Sequence, residues 1–327
     1  MQAQFARTAK VLVGLIIALG NIQIQTMAST QYVNINSVLC WLSADTQSLL
    51  VTNGPFKLPN AADITDEQMP HRKAAESIPL LAVLPAAEMS SQKFYPTIAG
   101  RRIHLAVEAL GQYPQGRDPN ILSRGLFIVC FEKDEDWDKV VIALSKRASS
   151  TSLYQRLEVF AFSEPSDFSR PDRSERINMY VCSPKPELLM ISASLSELHN
   201  ALDRMREHAT TQIALPKTLP EWKYVDETAQ FWAIRHCEKQ SDDPTLLPPD
   251  AIGIGVVYRR SDDIVEITYL STDDRFDMLR AFGQTWRIPI NVTRIGTDRS
   301  FARINWKNFP GFPTPLYSLL GHVIPAL

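Results

Sequence analysis

Short apolar runs alternate with polar, proline-bearing segments along most of this 327-residue chain. The runs are rich in β-branched, aromatic and aliphatic residues, and most are too short for a helix of ordinary length. This pattern is typical of β-strands bounded by turns. It predicts strands at 48–53, 78–84, 102–107, 125–131, 157–162, 177–182, 188–192, 231–237, 252–259, 264–270, 290–295 and 301–306.

Helical spacing of apolar residues occurs in three places. The segment 136–147 carries Trp137, Val140 and Leu144 on one face, and 195–208 shows the same period. A final segment spaces Leu316, Leu319, Leu320 and Val323 along one helical face. We expect this last face to dock on the protein's own sheet, and the alternative is a tail that binds a partner. Surface loops are predicted at 57–77, 163–176 and 238–250.

One stretch of the chain resembles another when the sequence is shifted by 77 positions. Both copies read as strand, short polar turn, strand and helix. Ser194 with Glu197, and Ser271 with Asp274, place a hydroxyl at the helix start and a carboxylate three residues later, which is the capping-box arrangement. The alternative is that any two hairpin-plus-helix units look alike. The two segments are 177–205 and 254–282.

The predicted fold class is α+β. Strands joined by short turns pair antiparallel, so we expect antiparallel sheets built from hairpins with helices packed on one face. A duplicated strand-strand-helix unit is one way to build them. The predicted divisions are a signal peptide at 1–28, an N-terminal α+β domain at 29–215 and a C-terminal α+β domain at 216–327, which can pack with the first as one unit.

The N-terminus has the three parts of a secretory signal peptide. Arg7 and Lys10 precede an apolar run at 11–19, and small residues follow near Ala28. The run is about half of the roughly 20 residues that a membrane-spanning helix needs. We therefore expect cleavage near Ala28, a secreted or periplasmic protein and no permanent membrane span. An uncleaved anchor and a misread start codon are the alternatives.

Charge and cysteine content narrow the possible functions. The 34 Lys and Arg residues are balanced by 36 Asp and Glu residues and form no basic run, so the sequence does not predict nucleic-acid binding. The four cysteines are widely spaced and form no Cys-x-x-Cys pair, which argues against a zinc ribbon or a thioredoxin-like site. Export permits two disulfides. The alternative is that Cys130, Cys182 and Cys237 are small buried hydrophobic residues.

Familiar catalytic motifs are absent from the sequence. The chain contains no Gly-x-Ser-x-Gly elbow, no phosphate-binding loop and no His-Glu-x-x-His. Gly253 and Gly255 lack the third glycine of a dinucleotide fingerprint and lie in a predicted strand. The histidines have no metal-ligand spacing. We therefore predict no metal and no cofactor.

Arg235 and His236 are the candidate ligand-binding residues. They lie in a strand that is apolar on both faces before Arg235, which predicts a central strand. His236 and Cys237 point to opposite faces of an extended strand, so they cannot form a catalytic dyad. The functional interpretation is contact with an anion or another ligand. The structural interpretation is an internal ion pair and a hydrogen-bonded histidine.

These observations support three hypotheses. The first is an exported, non-enzymatic protein that binds a protein or small-molecule partner in the cell envelope. The second is an exported hydrolase with an unfamiliar site of carboxylates and His236, and the third is a structural envelope component. A deep polar cleft around His236 would favour the hydrolase, whereas an exposed apolar patch would favour the binding protein.

Overall fold

A single antiparallel sheet organises the part of the chain that the structure describes. The structure is a computed structural model that describes residues 33–58, 94–111, 125–133, 136–165, 176–207, 214–229, 231–236, 251–259, 264–271, 290–292 and 300–306. All of its helices and strands belong to one compact unit, Ile35–Leu327. Twelve strands lie in the order β11-β12-β10-β9-β8-β1-β2-β3-β7-β6-β5-β4, and the described pairs are all antiparallel.

The strands are β1 (Thr46–Lys57), β2 (Arg102–Gly111), β3 (Gly125–Phe131), β4 (Ser150–Tyr154), β5 (Leu157–Pro165), β6 (Arg176–Lys185), β7 (Leu188–Ser192), β8 (Phe231–His236), β9 (Ala251–Arg259), β10 (Ile264–Ser271), β11 (Ile290–Val292) and β12 (Ser300–Trp306). The helices are α1 (Ile35–Trp41), α2 (Tyr95–Ile98), α3 (Trp137–Arg147) and α4 (Leu195–Glu207), and a 3₁₀ turn spans Pro220–Tyr224.

Eleven of the twelve predicted strands are confirmed, with ends that differ by a few residues, and the antiparallel α+β class is confirmed with them. The twelfth, 78–84, lies outside the described residues, as does the predicted helix from Leu316 to Val323. The sequence pattern did not predict β4. Its turn to β5 uses Gln155 and Arg156 at positive φ, where Asn and Gly are the usual signal.

Helices cover both faces of the sheet, so the prediction of helices on one face is wrong. Phe127, Val129 and Phe131 of β3 pack in one cluster with Trp137 and other residues of α3. We call this side the α3 face. The alternate residues of β3 face the other way, and Leu126 there lines a groove with Ala201 of α4. We call this side the α4 face. Both faces are apolar, because the central strands are buried on both sides.

Cys130 and Cys182 are buried free thiols, as the alternative to disulfides predicted. Burial raises the pKa of each thiol to about 12. Cys40 is also free, and Cys237 lies outside the described residues.

The two hairpins of the predicted repeat are both present, but their registers differ. In the first, Val181 of β6 pairs with Ile191 of β7. Shifted by 77 positions, these residues become Tyr258 and Thr268, yet Tyr258 pairs with Val265. The helix predicted after Ser271 lies outside the described residues. The duplication therefore stays a prediction.

The sheet continues across the predicted boundary between residues 215 and 216. Strand β8 pairs with β1 along five residue pairs, from Ser48 with Arg235 to Thr52 with Phe231. The two-domain division stays a prediction. Among the described residues, no helix is long and apolar enough to cross a membrane.

Candidate functional site

Strand β8 places the two candidate residues in the interior of the sheet, as predicted for a central strand. Arg235 pairs with Ser48 of β1 and with Ile254 of β9. His236 follows it and pairs with Gly253 of β9. Trp232 and Ile234, which precede His236 at every second position, are buried. The strand therefore fixes the backbone of both candidates between two neighbouring strands.

His236 is paired with a buried carboxylate. Its Nδ1 lies 2.7 Å from Oε1 of Glu221, which belongs to the 3₁₀ turn. The side chain of His236 is 19% exposed and that of Glu221 is 0% exposed. Oε2 of Glu221 is also buried and has no hydrogen-bond partner in the described structure. A carboxylate in this position holds the imidazole against the sheet and cannot be reached by solvent.

The 3₁₀ turn is itself anchored by tryptophan contacts. The indole nitrogen of Trp222 donates a hydrogen bond to the Leu215 carbonyl at 2.9 Å. The rings of Trp222 and Trp232 meet edge to face, 5.6 Å apart. The ammonium of Lys217 also lies over the Trp222 ring, 3.7 Å from its centre, as a cation–π contact. These contacts fix Glu221 beside His236.

The contact of His236 with Glu221 fits the structural interpretation of a hydrogen-bonded histidine. The side chain of Arg235 lies outside the described part of the structure, so the internal ion pair stays a prediction, as does ligand binding by either residue. Glu221 was not identified from the sequence. It is fifteen residues away and follows Pro220 in a polar stretch, so no local spacing links it to His236. The available signal was a single acidic residue between Pro220 and Trp222, which is too common to predict a partner.

A second polar cluster joins the β4–β5 hairpin to α4, and sequence analysis missed it as well. The hydroxyl of Tyr154 contacts both carboxylate oxygens of Asp203, at 2.9 and 2.8 Å. The Tyr154 ring stacks on His199, with centroids 3.6 Å apart and planes 5° from parallel. Gln155 also donates to Asp203 and accepts a hydrogen bond from Arg206. This cluster clamps the end of β4 onto the α4 face.

Ionisation in this cluster follows from its contacts. The hydrogen bond to Asp203 raises the pKa of Tyr154, with smaller contributions from desolvation and from the Asp203 charge. Desolvation lowers the pKa of His199, although the Asp203 charge acts in the opposite direction. A neutral tyrosine beside a neutral imidazole can stack without repulsion. The cluster therefore serves to hold the hairpin in place.

Strand β4 has no described strand on its outer side. It stands at one end of the strand order, and Ser150 through Leu153 are all exposed. Leu153 is 74% exposed, and Ile142 of α3 is 52% exposed. The strand pairs with β5 without a bulge and contains no charged residue and no proline. Bulges, charged residues and prolines normally protect an edge strand from pairing with another chain, and β4 lacks all three.

A groove lies on the α4 face where β1 begins and β2 ends. Asp45, Ala109, Glu197 and Arg204 are among the residues that line it. The enclosed volume at the bottom of the groove is barely large enough for one water molecule. His236 does not line the groove, although its strand β8 pairs with β1 at Ser48 and Arg235. It is too small to enclose an organic ligand.

Comparison with known proteins gives no family. No family model matches this chain, and no curated protein matches it. Crystal form I of TP0453 is similar in structure with 12% identity and a TM-score of 0.48, over 90% of this chain and 98% of that one. Crystal form III gives 12% identity and a TM-score of 0.44, over 84% and 94%. A likeness at this level carries no argument about function.

Proposed function

We propose that this chain is an exported, non-enzymatic protein that binds a partner protein in the cell envelope. The observation that carries the proposal is the uncovered edge of β4. An edge strand with a free row of backbone groups is a ready template for strand addition. Leu153 adds an exposed apolar side chain in the same strand. Together they provide backbone hydrogen bonds and apolar contact area at one place.

The size of the described groove favours a protein partner over a small molecule. Binding sites for organic ligands are usually concave and enclose several hundred cubic ångströms. The groove at Asp45 and Arg204 has room for roughly one water. A sheet edge needs no cavity, because its ligand lies alongside the strand.

The hydrolase alternative rests on the pair of His236 and Glu221. A carboxylate that orients an imidazole is a familiar part of hydrolytic sites. Here the carboxylate of Glu221 is fully buried within the 3₁₀ turn, and the imidazole of His236 is only 19% exposed. A reacting group must come within hydrogen-bond reach of the base. The groove at Asp45 and Arg204 does not include His236 or Glu221 among its lining residues. The geometry therefore supports the binding protein better.

The remaining parts of the proposal concern export and internal symmetry. Export rests on the signal-like pattern of residues 1–28, and with it the absence of a permanent membrane span after processing. The duplicated strand-strand-helix unit rests on the two antiparallel hairpins and on the recurring serine at the helix start. Neither part is needed for strand addition at β4.

Site-specific cross-linking in the producing cell tests partner binding. A photoreactive amino acid replaces Leu153 in the exported chain, and the same residue replaces Asn200 of α4 in a control. Asn200 is also exposed but lies on a helix rather than on the sheet edge. We expect a discrete cross-linked protein from position 153 and none from position 200. Equal products at both positions, or none at either, would contradict the proposal.

A further inference from the structure

We infer that the outer edge of β4 binds an extended segment of the partner that carries acidic residues on both sides of a short apolar centre. This inference rests on the proposed function and adds the chemistry of the ligand. It follows from the backbone geometry of β4, from the contacts that hold the strand, and from the charges at its two ends.

The hairpin turn determines which backbone groups are free. Gln155 and Arg156 both have positive φ, at 51° and 71°, as a two-residue type I′ turn requires. Tyr154 and Leu157 flank the turn and therefore form the hydrogen-bonded pair that closes it. Because the pattern alternates, the N–H and C=O groups of Thr151 and Leu153 point away from β5. A new strand would bond to these two residues.

The edge is held in place before any ligand arrives. Tyr154 is fixed by Asp203 and His199, and Gln155 is fixed by Asp203 and Arg206. At the other end, the Ser149 amide donates to the Ala161 carbonyl at 2.7 Å. Ordering a flexible strand costs free energy that would weaken binding. A strand clamped at both ends does not incur that cost.

Cationic side chains flank the strand at both ends. Lys146 and Arg147 end α3 just before β4, and Arg156 lies in the turn just after it. All three are exposed, and none forms an ion pair with another described residue. Among the described carboxylates, Glu158 of β5 pairs with Leu153 in the ladder, and Asp203 of α4 contacts Tyr154 and Gln155. Arg206 of α4 donates to the same Gln155 and adds a fourth cation near the strand. The balance favours a ligand with negative charge at each end.

The same charges disfavour a second copy of this chain as the ligand. Antiparallel self-pairing centred on Ser152 would place Thr151 of one copy opposite Leu153 of the other. Continuing that register sets Arg156 of one copy opposite Ala148 of its partner, one residue from Arg147, and the arrangement repeats at the symmetry-related end. Like charges this close at both ends of the paired strands repel one another. An acidic segment bound at the same edge would instead be attracted by the cationic side chains at both ends of β4.

The experiment uses the purified full chain and three labelled peptides. The acidic probe has a Val-Thr-Val-Thr centre with two glutamates at each end, the basic probe replaces the glutamates with lysines, and the third replaces the second valine of the acidic probe with proline. We expect the acidic probe to bind about tenfold more tightly than the basic one at low salt, and to weaken as salt is added. The proline probe should lose binding, because it lacks a backbone donor.

Variants of the chain test the position. Thr151→Pro removes an outward N–H without breaking a bond to β5, so the hairpin is retained while binding should be lost.

The double variant Arg147→Gln with Arg156→Asn tests the charges. It should weaken binding of the acidic probe about tenfold and make that binding less dependent on salt. Asn tolerates the positive φ of the turn. Lys133→Gln removes an exposed charge at the end of β3 and should change nothing. Unfolding midpoints equal to the parent's show that each variant is folded.

Equal binding of the acidic and basic probes would overturn the inference, and so would unchanged binding to Thr151→Pro. A concentration-dependent dimer that Thr151→Pro abolishes would identify the second copy as the occupant and overturn it too. A cross-link from position 153 together with no binding of the acidic probe would refute the acidic strand and leave partner binding intact. The absence of both would refute both.

Discussion

At the scale of single residues, buried polar groups distinguish this sheet from a purely apolar one. Glu108 of β2 is 2% exposed, and its Oε2 has no hydrogen-bond partner among the described residues. It lies opposite Leu50 and Phe127 in the ladder, on the α3 face. Glu221 is equally buried but has His236 as a partner. The two carboxylates should therefore respond differently to substitution of their surroundings.

Glu108 makes stability depend on pH in a definite direction. Desolvation raises the pKa of Glu108 well above the usual 4.5, so the folded state keeps a proton that the unfolded chain releases. Stability is therefore lost as pH rises from about 4.5 toward the folded-state pKa. In Glu108→Gln this dependence disappears. The unfolding free energy of the variant minus that of the parent should therefore increase with pH above pH 5, by up to about 1.4 kcal/mol per pH unit.

Urea unfolding of parent and variant across this pH range measures the difference. Glu158→Gln removes an exposed carboxylate from β5 and controls for the loss of a charge. A constant difference between Glu108→Gln and the parent would show that Glu108 is not held protonated.

The pair of His236 and Glu221 should behave as a structural unit. His236→Ala leaves a fully buried carboxylate without its partner, so we expect it to lower the unfolding free energy by about 3 kcal/mol. Replacing both residues with leucine removes the uncompensated charge and should recover much of the loss. Urea unfolding of the single and double variants checks this. A His236→Ala protein as stable as the parent would favour a functional role for the histidine, since active sites trade stability for function.

At the scale of elements, local signals set the ends of helices and strands. Helix α4 begins after Ser194, whose Oγ accepts a hydrogen bond from the Glu197 amide at 3.3 Å. This is the cap that the sequence predicted. In β1, a change of register between Asn53 and Phe56 brings Gly54 against the backbone of β2. Each feature can be tested by one substitution.

Ser194→Ala removes the acceptor for an amide at the first turn of α4. We expect the unfolding free energy to fall by about 1 kcal/mol. Ser145→Ala, on the exposed side of α3, should change it by less than about 0.5 kcal/mol. Chemical unfolding measures both. Identical midpoints for Ser194→Ala and the parent would show that the hydroxyl does not stabilise the helix.

Gly54→Ala introduces a Cβ that would lie 2.1 Å from the Ile103 carbonyl oxygen and 2.8 Å from that of His104. Both are backbone atoms of β2, which cannot move aside as a flexible side chain would. We expect a loss of about 1 to 3 kcal/mol or more, as for other overpacked sites. Thermal unfolding of Gly54→Ala beside Ser152→Ala, on the exposed edge strand, provides the comparison. A variant as stable as Ser152→Ala would mean that β1 and β2 do not approach so closely.

At the scale of the whole molecule, the sheet brings distant parts of the chain together. Strand β8 lies beside β1 although more than 170 residues separate them, and β4 occupies the far end of the order. Among the described strands, β4 ends the sheet with exposed, uncharged residues at Ser150 through Leu153. In the proposed function, the edge of β4 is where the molecule offers backbone groups to another chain.

Export is a prediction about the whole molecule. We expect the mature chain to begin near Ser29, because Arg7 and Lys10 precede the apolar run and small residues precede the cut. N-terminal sequencing of protein from the producing cell measures it. Recovery of an intact Met1 from the soluble cytoplasm would refute both the signal peptide and the proposed location.

The sequence by itself determined the features that depend on neighbours along the chain. The run of apolar residues at 125–131 predicted β3 at its observed bounds, and the serine at 194 predicted the start of α4. Both signals act within a few residues, because backbone conformation and capping are local. The same reasoning predicted that Cys130 and Cys182 are buried.

Only the tertiary structure decided the strand order, the placement of helices on both faces, the partner of His236 and the free edge of β4. Each depends on residues that are distant in sequence and meet only when apolar surfaces bury one another. His236 and Glu221 meet because Trp222 packs on Trp232, and neither contact has a local signature. The edge exists because no other described strand lies outside β4. An exposed edge is a property of the completed sheet, and no single segment of the sequence contains it.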